Sequence, residues 1–197
     1  MKAIQIVFAI LIGTFVSVSH AGIFKLNVEN GVLMGADNVN VNGSFYDVKF
    51  EDGSCIELFN KCDDASDFVF NTANDARAAS EALLWQVFID GISGMFDSTP
   101  TLTNGCTNGL VCATATTFAS DAFSVAVAMA FNNVDENRDA LNSNQFRLAE
   151  NTGVYTDVNY AVWSDASEAV EASAPGAAMI LLMGIAGLLV SQRRKQA

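Results

Sequence analysis

Val39-Asn40-Val41-Asn42-Gly43-Ser44-Phe45-Tyr46-Asp47-Val48-Lys49-Phe50 is the stretch on which the fold class of this chain turns. Val39 and Val41 alternate with asparagines, and Phe45, Tyr46, Val48 and Phe50 follow the Asn42-Gly43 step. A period of two puts apolar side chains on one face of a strand, and Asn-Gly between two such runs is the strongest short-range hairpin signal. Upstream, Phe24, Leu26 and Val28 alternate with Lys25, Asn27 and Glu29 before Gly31, which predicts a first strand and turn. Downstream, Asp52-Gly53 predicts another turn, feeding Cys55, Ile56 and Leu58. The result is a three-stranded meander with the Cys55 to Cys62 loop at the sheet's margin.

The periodicity becomes helical from Asn74 to Asp90, where Ala76, Ala79 or Ser80, Leu83, Leu84, Val87 and Phe88 form an apolar stripe. Thr72 with Asp75 suits the start, Gly91 the end, and Trp85 falls beside the stripe at a core or boundary position. Residues 91–110 are rich in Gly, Ser, Thr, Asn and Pro and read as a loop that a second cysteine pair would tie down. The run from Phe123 to Phe131 alternates as a strand does, although its alanines also suit a helix; the strand is favoured. After a polar run from Asn132 to Asn144 come Phe146 and Leu148. Val154 to Trp163 then reads as a strand, with Val158, Tyr160 and Val162 on one face and Asn159, Ala161 and Trp163 on the other. The expected fold is α+β, a small mainly antiparallel sheet with one principal amphipathic helix.

Both ends of the chain look like processing segments. Residues 1–21 have a basic start, an apolar stretch from Lys2 to Val18, and small residues at Ser19 and Ala21, as in a signal peptide cleaved by signal peptidase before Gly22. An acidic domain follows at 22–164 and a linker of Ser, Ala, Glu and Asp at 165–174. Residues 175–197 close the chain with an apolar run from Pro175 to Val190 and then Arg193, Arg194 and Lys195. The run falls slightly short of the roughly 17 to 25 residues of a spanning helix, yet it predicts a C-terminal transmembrane helix whose basic end stays cytoplasmic.

Ala174-Pro175-Gly176, the apolar run and the arginine-rich end together resemble the PEP-CTERM sorting signal of exported Gram-negative proteins, in an Ala-Pro-Gly variant of its usual Pro-Glu-Pro motif. The resemblance implies an exosortase-like sorting enzyme as partner. It further implies export across the inner membrane, a transient membrane anchor, processing at Ala174, Pro175 and Gly176, and delivery to the cell surface or extracellular matrix. It implies no biochemical activity. The stretch from Gly35 to Phe70 is similar to small domains often attached to such tails.

All 22 acidic residues lie between the two end segments, against six basic ones (Lys25, Lys49, Lys61, Arg77, Arg138 and Arg147), about −16 where the whole chain is −12. That balance repels phosphates and anionic lipid, and it excludes nucleic acid as a partner. Four cysteines, Cys55, Cys62, Cys106 and Cys112, suit disulfides in an oxidising compartment, with three pairings possible. Pairing in sequence order is favoured by turn-formers at Asn60 and Asn108-Gly109; the rival is a four-cysteine zinc site, which usually uses narrower spacing.

His20 is the sole histidine and falls in the signal segment, so the domain has no imidazole for a triad or a Cys–His pair. Carboxylate-only acid/base chemistry stays open in principle, but no pair stands out, and the chain is read as a non-enzyme without a cofactor. Asn133, Asp135, Asn137 and Asp139 place oxygens at alternate positions, a weak calcium pattern that lacks the glycine and closing glutamate of an EF-hand loop. Two readings remain. One is a structural surface or matrix protein. The other is a carbohydrate- or calcium-binding module using loop 91–110 with Trp85, Trp163, Tyr155 or Tyr160, and extracellular polysaccharide as its partner.

Overall fold

Asn30-Gly31 and Asn42-Gly43 both make tight turns. In the computed structural model, which describes residues 22–166, β1 (Lys25–Glu29) turns into β2 (Val32–Val41), and β2 into β3 (Ser44–Glu51). The turn residues take φ of 51° and 83° in the first hairpin and 53° and 89° in the second. Asparagine and glycine enter this left-handed region at least cost, and such turns match the twist of the strands they join. Gly35 is needed for another reason: at φ 153° it packs against β3 so closely that a Cβ would run into the Val48 carbonyl.

The chain leaves the sheet after β3. Cys55–Leu58 forms a short helix, α1, where a strand was expected. Its start is fixed by Glu57, whose carboxylate accepts from the Ser54 N–H at 2.9 Å and the Ser54 hydroxyl at 2.8 Å. Ser-x-x-Glu is the reciprocal capping pattern of a helix N-terminus, and here it overrides the alternation of Cys55, Ile56 and Leu58. The third strand of the meander is therefore β3 itself.

The principal helix, α2 (Ala73–Ala82), continues through a π turn at Leu83–Val87. Thr72 Oγ1 accepts from the Asp75 N–H at 3.2 Å at its start. Its buried face is Ala76, Ala79, Ser80, Ala82, Leu83 and Val87, while Leu84 is only half-buried and Trp85 is turned outward. A small ribbon, β4 (Asp90–Gly91) with β5 (Gly94–Met95), comes next where loop alone was expected, and Phe96 beyond it is fully buried.

Four long strands complete the sheet: β6 (Val111–Ser120), β7 (Ser124–Asn133), β8 (Ala140–Arg147) and β9 (Val158–Asp165). The spatial order is β1-β2-β3-β9-β6-β7-β8. Two antiparallel meanders, β1-β2-β3 and β6-β7-β8, thus lie side by side, and the last strand enters between them. β9 runs antiparallel to β3 and parallel to β6. This corrects the expected mainly antiparallel sheet to a mixed one, because a strand inserted between edges running in opposite senses cannot oppose both.

Both faces of the sheet are covered. On one, α2 packs over Val48, Phe50, Ala128, Ala130, Ala161 and Trp163. The alanines let the helix come close, and Ser80 Oγ donates to the Ala128 carbonyl at 3.2 Å. On the other, α1 and the Cys55–Cys62 loop cover Ala115, Val125, Val127 and Tyr160, so this loop caps a face and does not lie at the margin.

Among the described residues, no helix is long and apolar enough to cross a membrane. The longest one carries Asn74, Asp75, Arg77 and Glu81 and is amphipathic. The expected transmembrane helix is accordingly not part of the observed architecture, and the transient membrane anchor built on it is withdrawn. The signal segment at 1–21, most of the linker and the segment at 175–197 lie outside the described residues. The domain itself runs slightly past its expected end: Asp165, the last residue of β9, pairs with Tyr46.

Candidate functional site

The π turn has a consequence for the surface. A helix that adds a residue to one turn rotates every side chain beyond the insertion, and such insertions recur at functional sites. Within this turn Trp85 is 76 % exposed, on the side of the helix away from the fully buried Leu83 and Val87. Trp85 stands at the wall of a cleft of about 620 Å³, with Leu84, Phe88 and Ile89 beside it. The rest of the lining is polar and mostly acidic: Asp90 from β4, Asp97 just after β5, and Glu136, Asn137 and Asp139 from the turn after β7.

Two of the acidic groups, Asp90 and Asp139, are held by backbone donors. Asp90 Oδ1 accepts from the Asp97 and Ser98 N–H groups at 3.0 and 3.1 Å, which fixes the ribbon. Asp139 Oδ1 accepts from the Asn133 N–H at 2.7 Å. Burial, followed by the charges of Asp139, Asp90 and Glu136, raises the Asp97 carboxyl above the ordinary carboxylate range. Burial likewise raises Asp139, with Glu136 and Asp135 adding to it, against the pull of the Asn133 hydrogen bonds. No lysine or arginine lines the cleft. It therefore presents an apolar indole and a row of hydrogen-bond acceptors that repels anions.

The run of alternating oxygens falls at this cleft but is not folded as a cation loop. Asp135 Oδ1 accepts from the N–H and side-chain amide of Asn137 at 3.2 and 3.0 Å, and Asn133 donates to the Arg138 carbonyl at 2.8 Å. Arg138 reaches Asp135 at 3.6 Å. These side chains close the turn on itself. Among the described residues no group of three or more His, Cys, Asp or Glu is placed to hold a metal.

Cys55 is bonded to Cys62, with Cα atoms 5.7 Å apart, and Cys106 to Cys112, at 5.6 Å. The four sulfurs thus form two separate bridges. Tyr160 and Trp163, considered as ligand platforms, are core residues, with 0 % and 7 % exposure. Burial pushes the Tyr160 phenol well above the ordinary tyrosine range. Tyr155 is exposed, but it donates to Glu150 in a different hollow, lined by Phe146, Glu150 and Thr152. Of the four aromatics only Trp85 lines the acidic cleft. Among the processing residues Gly22 begins the described part, while Ala21, Ala174, Pro175, Gly176, Arg193, Arg194 and Lys195 lie outside it.

Asp90, Asp97 and Glu136 drew no attention in the sequence. Nothing local marks them, because it is the ribbon and the turn after β7, far apart in the chain, that bring them together. No family model, curated protein or solved structure matches this chain.

Proposed function

We propose that this domain is a non-catalytic structural protein of a cell surface or extracellular matrix, and that it holds polysaccharide at the Trp85 cleft. The observation that carries the reading is an exposed indole at a helix end, lining one cleft together with a group of carboxylates. Binding sites combine an apolar platform with a few placed polar groups in this way. The C–H face of a sugar ring stacks on an indole, and its hydroxyls donate to carboxylates. The raised pKa values of Asp97 and Asp139 reflect burial together with a surplus of negative charge. The cleft therefore favours neutral or amino-bearing polymers over acidic ones. Two short disulfide loops fit an oxidising compartment.

Affinity electrophoresis tests this. The protein should be retarded in gels containing a neutral β-glucan or chitosan, and not in gels containing alginate. Trp85→Ala should migrate as it does in the absence of polymer. Unretarded wild type, or equal retardation of Trp85→Ala, would refute the reading.

A further inference from the structure

The two edges of the seven-stranded sheet are treated differently. On β8 the N–H groups of Ser143, Gln145 and Arg147, at alternate positions and so on one side of the strand, are taken by Asn142 Oδ1, Asn144 Oδ1 and Glu150 Oε2 at 2.8, 2.8 and 3.1 Å. An edge whose donors are occupied by its own side chains is a poor template for another strand. At the other edge, β1 pairs only with β2. No side chain or loop of the described residues bonds to the backbone of Lys25–Glu29, and the five residues also line a hollow of about 790 Å³ on the sheet face that reaches Met34 of β2 and Lys49 and Glu51 of β3. Ile23, two residues before β1, is largely exposed, and Ile92, which shares a hollow with Lys25 and Leu26, is fully exposed.

The sequence of the open strand is Lys25-Leu26-Asn27-Val28-Glu29. Reversed, it is complementary to itself. We propose that β1 is the docking edge for a second copy of this chain, pairing antiparallel about a two-fold axis at Asn27. Lys25 then faces the partner's Glu29, and Glu29 faces the partner's Lys25. Leu26 lies opposite the partner's Val28, and the backbone groups of these two positions close the ladder. Lys25 and Glu29 are exposed in the single copy; on the β2 side Lys25 lies opposite Asp37 and Glu29 opposite Val32. Opposite charges directly across an antiparallel ladder stabilise it and like charges oppose it. A shift of the axis by one residue loses both pairs, so the charges fix the register as well as the partner. On a surface carrying only six basic side chains in the acidic domain, this edge is where a second copy meets opposite charge. The product is a continuous sheet through two domains, an isologous dimer.

Sedimentation velocity across micromolar to millimolar concentration reads the association directly. The wild-type protein should form a dimer. Lys25→Glu and Glu29→Lys each place like charges at two symmetric points and should weaken dimerisation by about tenfold or more. The double variant Lys25→Glu/Glu29→Lys exchanges the charges and should restore it. Near-ultraviolet circular dichroism checks that the variants, altered only at exposed positions, keep the native fold. A wild type that stays monomeric throughout, single variants that dimerise as wild type does, or a charge-swapped protein that remains monomeric would each overturn the proposal.

Discussion

Trp163 Nε1 donates to Thr116 Oγ1 at 3.1 Å, a buried bond from β9 to β6 on the side of the sheet that α2 covers. The indole also meets Phe70 edge-on, with ring centroids 5.4 Å apart. β6 and β9 form the seam between the two meanders, and their parallel ladder is short, from Ala113 to Ala115. This side-chain bond extends the seam beyond it.

Thr116→Val keeps the shape and β-branching of the residue and removes the acceptor. A buried indole N–H left without a partner costs about 1–3 kcal/mol. Equilibrium urea unfolding should show a loss of that size. Adding Trp163→Phe, which removes the donor, should cost less than the sum of the two single losses, since the pair acts as a unit. Additive losses would show that the bond contributes nothing of its own.

Asn60, Lys61 and Cys62 take φ of 37°, 79° and 59° in succession, closing the Cys55–Cys62 loop over the sheet. A non-glycine residue in this region costs roughly 1–2 kcal/mol, partly offset by the extra freedom glycine would bring to the unfolded chain. Lys61→Gly should therefore stabilise the protein by about 0.5–1 kcal/mol. Replacing both Cys55 and Cys62 by alanine should cost about 2 kcal/mol, the lower end for a short closed loop. It should also expose Phe59 and Phe68, which the loop holds against Tyr160, as increased binding of a hydrophobic dye. A Lys61→Gly protein that melts earlier than wild type would contradict the strain argument.

The sequence is legible where its signals are local. Asn42-Gly43 and the alternation of Phe45 to Phe50 act over a few residues, and the hairpin they mark is present. Thr72 and the apolar stripe behind it likewise mark α2. β6 was missed although it lies at the centre of the C-terminal half. Its run of Cys112-Ala113-Thr114-Ala115-Thr116-Thr117 is buried on both faces, so it carries little contrast between its two sides and little hydrophobic amplitude. The parallel pairing of β9 was equally hidden, because strand order is set by long-range packing and no turn declares it. At the site, the expectation that Trp85 adjoins the stripe fails: the helical period sets it about half a turn from Ala76, Leu83 and Val87, and it is on the surface.

The acidic cleft predicts a pH effect of defined sign. Asp97 and Asp139 have pKa values raised in the folded protein, chiefly by burial. The folded state thus holds these protons more tightly than the unfolded chain does. Their ionisation costs stability as pH rises through the folded values and returns it as pH falls into the window just above the ordinary carboxylate range. Asp97→Asn removes one such group and the repulsion it shares with Asp139, Asp90 and Glu136. Relative to wild type, the variant should gain stability at neutral pH, on the order of a few tenths of a kcal/mol because the cleft is open to solvent. The gain should shrink as pH falls from neutral toward the carboxylate range, where the wild-type carboxyl takes up its proton. Only the difference between the two proteins isolates this effect. Asp64, Asp121 and Asp135 are held below the ordinary range by backbone and side-chain donors, and as they are protonated acid destabilises both proteins alike. Thermal melts of the pair across that pH range supply the measurement, and a difference that is constant with pH, or that favours wild type at neutral pH, would show that the crowded carboxylates do not strain the cleft.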